Sequence, residues 1–189
     1  MRTIAIAGCV NRIGTTTQAL QAVQVLKAVG YKAAYLEANR NQYLEQMVKT
    51  YSNVEESKQF IINSGIVLYK RNYSQAAKDE KYDFIVKDYG NVDTVNFEEA
   101  SFAGQKTKIV VCGSKPNEIF KTQAVLANPI YDDAYLIFSF VPEEERVSVQ
   151  SMMSEDANKT FFADTILDPF VEHPSSKALF HKILRFNKG

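Results

Sequence analysis

Four short segments of the chain hold residue types that handle phosphate and a divalent cation. The first reads Gly8-Cys9-Val10-Asn11-Arg12-Ile13-Gly14-Thr15-Thr16-Thr17 and follows an apolar run at residues 3–7. A glycine turn between a strand and a helix points backbone N–H groups at an anion, and the helix N-terminus behind it adds partial positive charge. Gly14 is in place for such a turn, and Thr16 offers the hydroxyl that reaches magnesium in phosphate loops. The customary lysine is missing: Thr15 stands in its position, and Cys9 occupies the place of the first motif glycine. Pattern alone leaves two readings open, a phosphate loop without its cation or a tight turn that caps a helix with threonine.

The second segment, Tyr82-Asp83-Phe84-Ile85-Val86-Lys87-Asp88, is a strand-like run ending in a carboxylate and followed by Tyr89-Gly90. A carboxylate at a strand tip beside a phosphate loop holds magnesium or a magnesium-bound water; taken alone, such an aspartate is a common solvated strand end. The third, Leu36-Glu37-Ala38-Asn39, ends another strand and would turn an acidic or amide side chain toward the same cleft. The fourth, Cys112-Gly113-Ser114-Lys115-Pro116-Asn117-Glu118, follows a further strand, and Ser114 or Asn117 caps the next helix as readily as it touches a ligand.

These segments need elements to position them. Short apolar runs alternate with longer stretches of 3.6-residue period, the pattern of β/α units. Strands are predicted at residues 3–7, 32–37, 65–69, 82–88, 108–112 and 135–140, with a last apolar piece at 160–163. Helices are predicted at 16–29, 42–51, 74–81, 117–126, 143–153 and 175–186. The first helix presents Ala19, Leu20, Ala22, Val23, Leu26 and Val29 as an inward stripe and ends at Gly30. Right-handed crossovers join such units into an open parallel sheet with helices on both faces, whose ligands bind at the carboxyl ends of the strands. With no repeat, low-complexity tract or Gly/Ser linker, the 189 residues read as one α/β domain.

Composition excludes several classes. Lysine plus arginine and aspartate plus glutamate both number 22, so no global field favours nucleic acid or an acidic membrane. No apolar run approaches the roughly 18–20 residues of a membrane span, and the N-terminus lacks a signal-peptide pattern. Cys9 and Cys112 make neither a disulfide framework nor a CxxC metal pattern, and read as reduced thiols of a cytoplasmic protein. Lys87, adjacent to Asp88, faces the other side of its strand. His173 and His181 have no evident triad partner. Phe161, Phe162, Phe170, Phe180 and Phe186 read as packing for the terminal helix.

The succession NRIGTTTQAL, LEAN, YDFIVKD and CGSKPNE, over roughly residues 1–140, resembles the MinD/ParA branch of P-loop ATPases. It is also similar to the ATPase-like domain of the pilus-assembly protein TadZ. The resemblance implies a P-loop NTPase-like three-layer sandwich that binds ATP or ADP with magnesium at the Gly14 loop. It assigns phosphate contacts to Asn11, Arg12, Ile13, Gly14, Thr15, Thr16 and Thr17, magnesium to Thr16 and Asp88, and catalytic roles to Asp88 and Glu37. Glu37 or Asn39 stands where the family has a water-positioning aspartate. Partners implied are a nucleotide, a second copy of the chain and a larger protein assembly, such as plasmid, pilus or conjugation machinery, that a weak ATPase or switch positions.

The departures concern charge. The two lysines of the family's loop fall on Val10 and Thr15, and the first is the one usually presented across a dimer. Losing a charge-assisted phosphate contact costs roughly 1.5–3 kcal/mol, and hydrolysis suffers more because charge develops in the transition state. Arg12 is the only cation inside the loop; its planar guanidinium can take phosphate in a forked manner, or it faces solvent or a partner, and both readings stay open. Besides the switch, a non-hydrolysing scaffold acting through protein–protein contacts therefore stays open, while a small-molecule kinase lacks an additional catalytic constellation.

Overall fold

In the computed structural model, residues 1–73 and 81–185 are described. The chain runs β1 (Arg2–Gly8), α1 (Thr15–Ala28), β2 (Ala33–Glu37), α2 (Tyr43–Thr50), β3 (Glu55–Glu56), β4 (Phe60–Asn63) and β5 (Ile66–Tyr69). It continues with β6 (Phe84–Asn91), α3 (Glu99–Ala103), β7 (Thr107–Cys112), α4 (Pro116–Leu126), β8 (Tyr135–Ser139), α5 (Glu143–Met152), β9 (Thr160–Ala163) and α6 (Pro174–Leu184). The strands form one sheet in the order β3-β4-β5-β2-β6-β1-β7-β8-β9. The helix predicted at 74–81 falls mainly on residues outside those described, as does Phe186.

Strand β1 is central and pairs in parallel with β6 on one side and β7 on the other. Its Ile4-Ala5-Ile6-Ala7 run is buried throughout, as a strand covered on both faces requires. Strands β2, β5, β6, β7, β8 and β9 continue the parallel arrangement. The sheet is mainly parallel, as expected; the exception is one edge, where β3, β4 and β5 pair antiparallel. Ser64 and Gly65 join β4 to β5 with φ of 49° and 72°, the left-handed pair that matches a two-residue hairpin to the strand twist.

Helix α1 packs on the sheet and is buried nearly all round. Val29 leaves the predicted stripe, being 37% exposed, whereas Gln18, Gln21 and Val25 are buried. The helix ends in a Schellman turn: Gly30 takes φ 93°, its N–H donates to Lys27 O at 2.9 Å, and Tyr31 N–H donates to Leu26 O at 3.0 Å. The buried glutamine has a structural task. Gln21 Nε2 donates to Pro169 O (3.0 Å) and Val171 O (2.7 Å), and its Oε1 accepts from His173 N–H (3.1 Å). One turn on, Gln24 Nε2 donates to Phe170 O. The segment before α6 is thus fastened along α1, with Phe170 and Phe180 buried in the core.

The register fixes which side chains share a face. Glu37 pairs with Asp88 and Tyr35 with Val86, so Tyr35, Glu37 and Asp88 lie on one side of the sheet. Lys87 lies on the other side, where its Nζ donates to Gln105 Oε1 at 3.3 Å. No helix among the described residues is long and apolar enough to cross a membrane.

Candidate functional site

Between β6 and β7, the carboxyl end of β1 runs into the loop ahead of α1. This is the point where successive connections leave toward opposite sides of the sheet, and where open α/β sheets form their crevice. Two residues of the loop adopt left-handed backbone, Arg12 at φ 61° and Gly14 at φ 95°. Gly14 is the N-cap of α1 and no side chain caps the helix, so its first N–H groups face outward without a side-chain acceptor. The reading of a threonine-capped turn is therefore corrected: the helix starts at Thr15, and the residue ahead of it has no side chain to offer.

Packing beneath the loop is tight. A Cβ on Gly8 would lie 2.2 Å from Thr15 Oγ1 and 2.7 Å from Ile13 Cγ2. Gly8, one position before Cys9, thus provides the close approach that the motif assigns to its first glycine. Thr15 turns its hydroxyl back against Gly8 and is buried, as is Ile13, so these two meet the cleft through backbone more than through side chain. A cleft of about 310 Å³ lies over the loop, lined by Asn11, Arg12, Gly14, Thr16 and Thr17, with Asn41, Gly90 and Phe140 opposite. Arg12 is exposed on its wall and makes no hydrogen bond or ion pair to the described residues.

The sequence-predicted metal pair comes together. Thr16 Oγ1 donates to Asp88 Oδ2 at 2.6 Å. The same carboxylate oxygen accepts from Tyr35 OH at 2.8 Å, and Oδ1 accepts from Gly90 N–H at 2.8 Å. Asp88 is fully buried; burial raises its carboxyl above the usual range, and the bonds from Thr16, Gly90 and Tyr35 act the other way. Glu37 lies beside it and is likewise buried, its pKa pushed up to about 7 by desolvation and, less strongly, by the Asp88 charge. Glu37 Oε1 accepts from Tyr43 N–H at 2.6 Å, so it also caps the start of α2. Asn39 serves the backbone: its Nδ2 donates to Asp88 O at 3.0 Å and its Oδ1 accepts from Asn41 N–H at 2.9 Å.

Thr16 and Asp88 present hard oxygen donors side by side, the chemistry magnesium prefers, and phosphate oxygens and water would complete its shell. Among the described residues no group of three or more His, Cys, Asp or Glu could hold a metal by itself. Ser139 Oγ, at the end of β8, is buried, has no hydrogen-bond partner among the described residues and lies 3.7 Å from where a Gly14 Cβ would be.

Beyond β7 the expected caps are corrected. Lys115 is the N-cap of α4, Pro116 opens it, and Glu118 Oε2 accepts from Lys115 N–H at 3.2 Å, so neither Ser114 nor Asn117 caps it. Cys9 and Cys112 are free, buried neighbours at the ends of β1 and β7. The neighbouring Cys112 thiol draws the Cys9 thiol below its ordinary value against the effect of burial, and Cys9 Sγ lies 3.6 Å from Thr122 Oγ1. His173 Nδ1 pairs with Ser175 Oγ at 2.7 Å at the start of α6.

Sequence reasoning passed over Tyr35, Gly90, Ser139 and Phe140. Tyr35 was findable, because it stands two residues before Glu37 and so shares its face. Gly90 was findable as a glycine directly after a strand-end carboxylate, where φ 73° lets its N–H turn back to Asp88.

No family model and no curated protein matches the chain. Among solved structures, the MinD cell division protein of Aquifex aeolicus superposes with a TM-score of 0.69 at 15% identity, covering 98% of this chain and 96% of that one. The chain has the MinD/ParA-like P-loop ATPase fold. A putative plasmid partition protein of Borrelia burgdorferi bound to AMPPNP shares this P-loop fold with a TM-score of 0.65 at 12% identity, over 97% of this chain and 96% of that one. Aquifex aeolicus MinD in complex with MinC gives 0.68 at 13% identity, over 98% and 95%. Here Thr16 ties the Gly14 loop to Asp88, and Glu37 lies beside Asp88 but lines a neighbouring cleft and not the one over Gly14.

Proposed function

We propose that the chain is a nucleotide-binding switch that takes ATP with magnesium over the Gly14 loop and positions a larger assembly through protein contacts. The carrying observation is the 2.6 Å bond between Thr16 Oγ1 and Asp88 Oδ2 beneath an uncapped helix N-terminus. Backbone N–H groups of residues 11–17 bind the phosphate chain, as helix N-termini bind anions. Arg12 supplies the mobile positive charge in place of Val10 and Thr15, where the resembling family has lysines. Thr16 and Asp88 hold the magnesium, which when bound neutralises phosphate charge. Glu37, its pKa close to neutrality, orients a water and accepts its proton at the carboxylate, so hydrolysis is slow for want of fixed cations.

Neighbours of the same fold support the positioning role: one is crystallised with MinC, and another is a plasmid partition protein with AMPPNP. A homodimer formed across the cleft and a cytoplasmic location belong to the same proposal. A second reading, a scaffold that never hydrolyses nucleotide, is favoured by Thr15, whose side chain is packed against Gly8 and leaves the cleft without its customary ammonium.

Calorimetry with ATP and ADP, with and without magnesium, tests the proposal on the wild type, Arg12→Ala and Thr16→Ala. Saturable binding that needs magnesium and is lost in Thr16→Ala supports the switch. No heat at millimolar ATP leaves the scaffold.

A further inference from the structure

A nucleotide has a phosphate end and a base end, and the residues above account only for the first. Phe140 closes the cleft on the side of β8. It follows Ser139, whose hydroxyl abuts Gly14, and it lines the same cleft as Gly14, Thr16 and Thr17. Its backbone is left-handed, at φ 60°. The other non-glycine residues with positive φ among those described are Arg12, Gln42, Ser64, Ser154 and Arg185, so Phe140 is the only aromatic so placed.

A turn alone would be better served by glycine or asparagine, which tolerate this conformation. The ring is not retained for the core either, since Phe140 is 43% exposed. Its π-face is accessible enough to take a cation, Lys115 Nζ, 5.6 Å from the ring centroid. A strained backbone that holds an exposed aromatic ring on the wall of a cleft is the arrangement expected where the ring itself is needed.

We propose that Phe140 is the platform on which the base of a bound nucleotide stacks, and that the site accordingly takes purine nucleoside polyphosphates in preference to pyrimidine ones. The inference rests on the phosphate-site reading of the Gly14 loop. Stacking needs only a π-face on the base, and a purine covers more of the ring than a pyrimidine does. Lys115 is solvent-exposed and yields its place over the ring without leaving a buried charge behind.

The test compares magnesium complexes of tripolyphosphate, ATP, GTP and UTP by calorimetry on the wild type, Phe140→Tyr and Phe140→Asn, with thermal melting of each protein. The expected result is that ATP and GTP bind the wild type about tenfold more tightly than tripolyphosphate, with UTP in between. Phe140→Tyr keeps that margin. Phe140→Asn loses it while binding tripolyphosphate as the wild type does, and melts at the same or a higher temperature because the left-handed position suits asparagine. If tripolyphosphate and ATP bind and Phe140→Asn keeps the wild-type margin, the platform is overturned and the phosphate site stands. If neither probe binds the wild type, the phosphate site itself fails and the platform falls with it.

Discussion

Thr16 Oγ1 and Asp88 Oδ2 lie 2.6 Å apart although 72 positions of sequence separate them. The bond joins the first turn of α1 to the tip of β6 and is shielded by Tyr35 and Gly90, which bond the same carboxyl group. A hydroxyl donating to a buried carboxylate satisfies both groups without ligand, and the same two oxygens suit a hard cation.

Asp88→Asn separates those roles. The amide fits the same space, and the hydroxyls of Thr16 and Tyr35 can turn to accept from it, so stability measured by urea denaturation should change by no more than about 1 kcal/mol. Magnesium should cease to strengthen ATP binding. A magnesium effect equal to that of the wild type would remove Asp88 from the metal site.

Glu37 makes stability depend on pH. Its pKa rises from an ordinary 4.5 to about 7 in the native state, so between those values the native protein keeps a proton that the unfolded chain has released. Stability therefore falls as pH rises through that window, by roughly 3 kcal/mol for the full shift. Asp88, also raised, acts in the same direction. Denaturation midpoints at pH 5 and pH 7.5 should diverge in the wild type and draw together in Glu37→Gln; equal divergence in both proteins would clear Glu37 of the effect.

Charge at the loop is testable in both directions. Arg12→Ala should leave the melting temperature unchanged, because Arg12 is exposed, and should weaken magnesium-ATP binding about tenfold, the value of a charged hydrogen bond. Thr15→Lys places an ammonium where the family carries one and should tighten binding by a similar factor. Were Arg12→Ala to bind as the wild type does, the loop would be working through its backbone alone.

The fold and the candidate pair Thr16 and Asp88 were readable because their signals are local and periodic. Apolar runs of four to six residues marked the central strands, and strand-end carboxylates marked Asp88 and Glu37. The edge hairpin escaped because its strands are short and partly exposed: Phe60, Ile62 and Asn63 are only half-buried, so no clean apolar run announces them. Ser139 and Phe140 escaped for another reason. Their importance depends on β8 reaching the level of Gly14, a tertiary coincidence that no spacing in the sequence encodes. Glu118, which bonds back to Lys115 N–H, was missed because Ser114 and Asn117 offered more familiar capping chemistry.

Gln21→Ala should be the most damaging of the polar substitutions. It leaves Pro169 O, Val171 O and His173 N–H without their side-chain partner and opens a gap beside a fully buried position. A loss of about 2–4 kcal/mol is expected in chemical denaturation. A loss below about 1 kcal/mol would mean that the segment is held by Phe170 and Phe180 without help.

The glutamine clamp also bears on how the two ends of the molecule communicate. Gln21 sits five residues beyond Thr16, about 8 Å along the axis of α1. One stiff rod therefore bears on the cleft at its tip and grips the stretch leading to α6 along its side. Through the sheet, the cleft reaches β9 by way of β8, whose end brings Ser139 and Phe140 to the Gly14 loop. Along the rod, α1 ties the Gly14 loop to the segment before α6 without passing through any strand pairing.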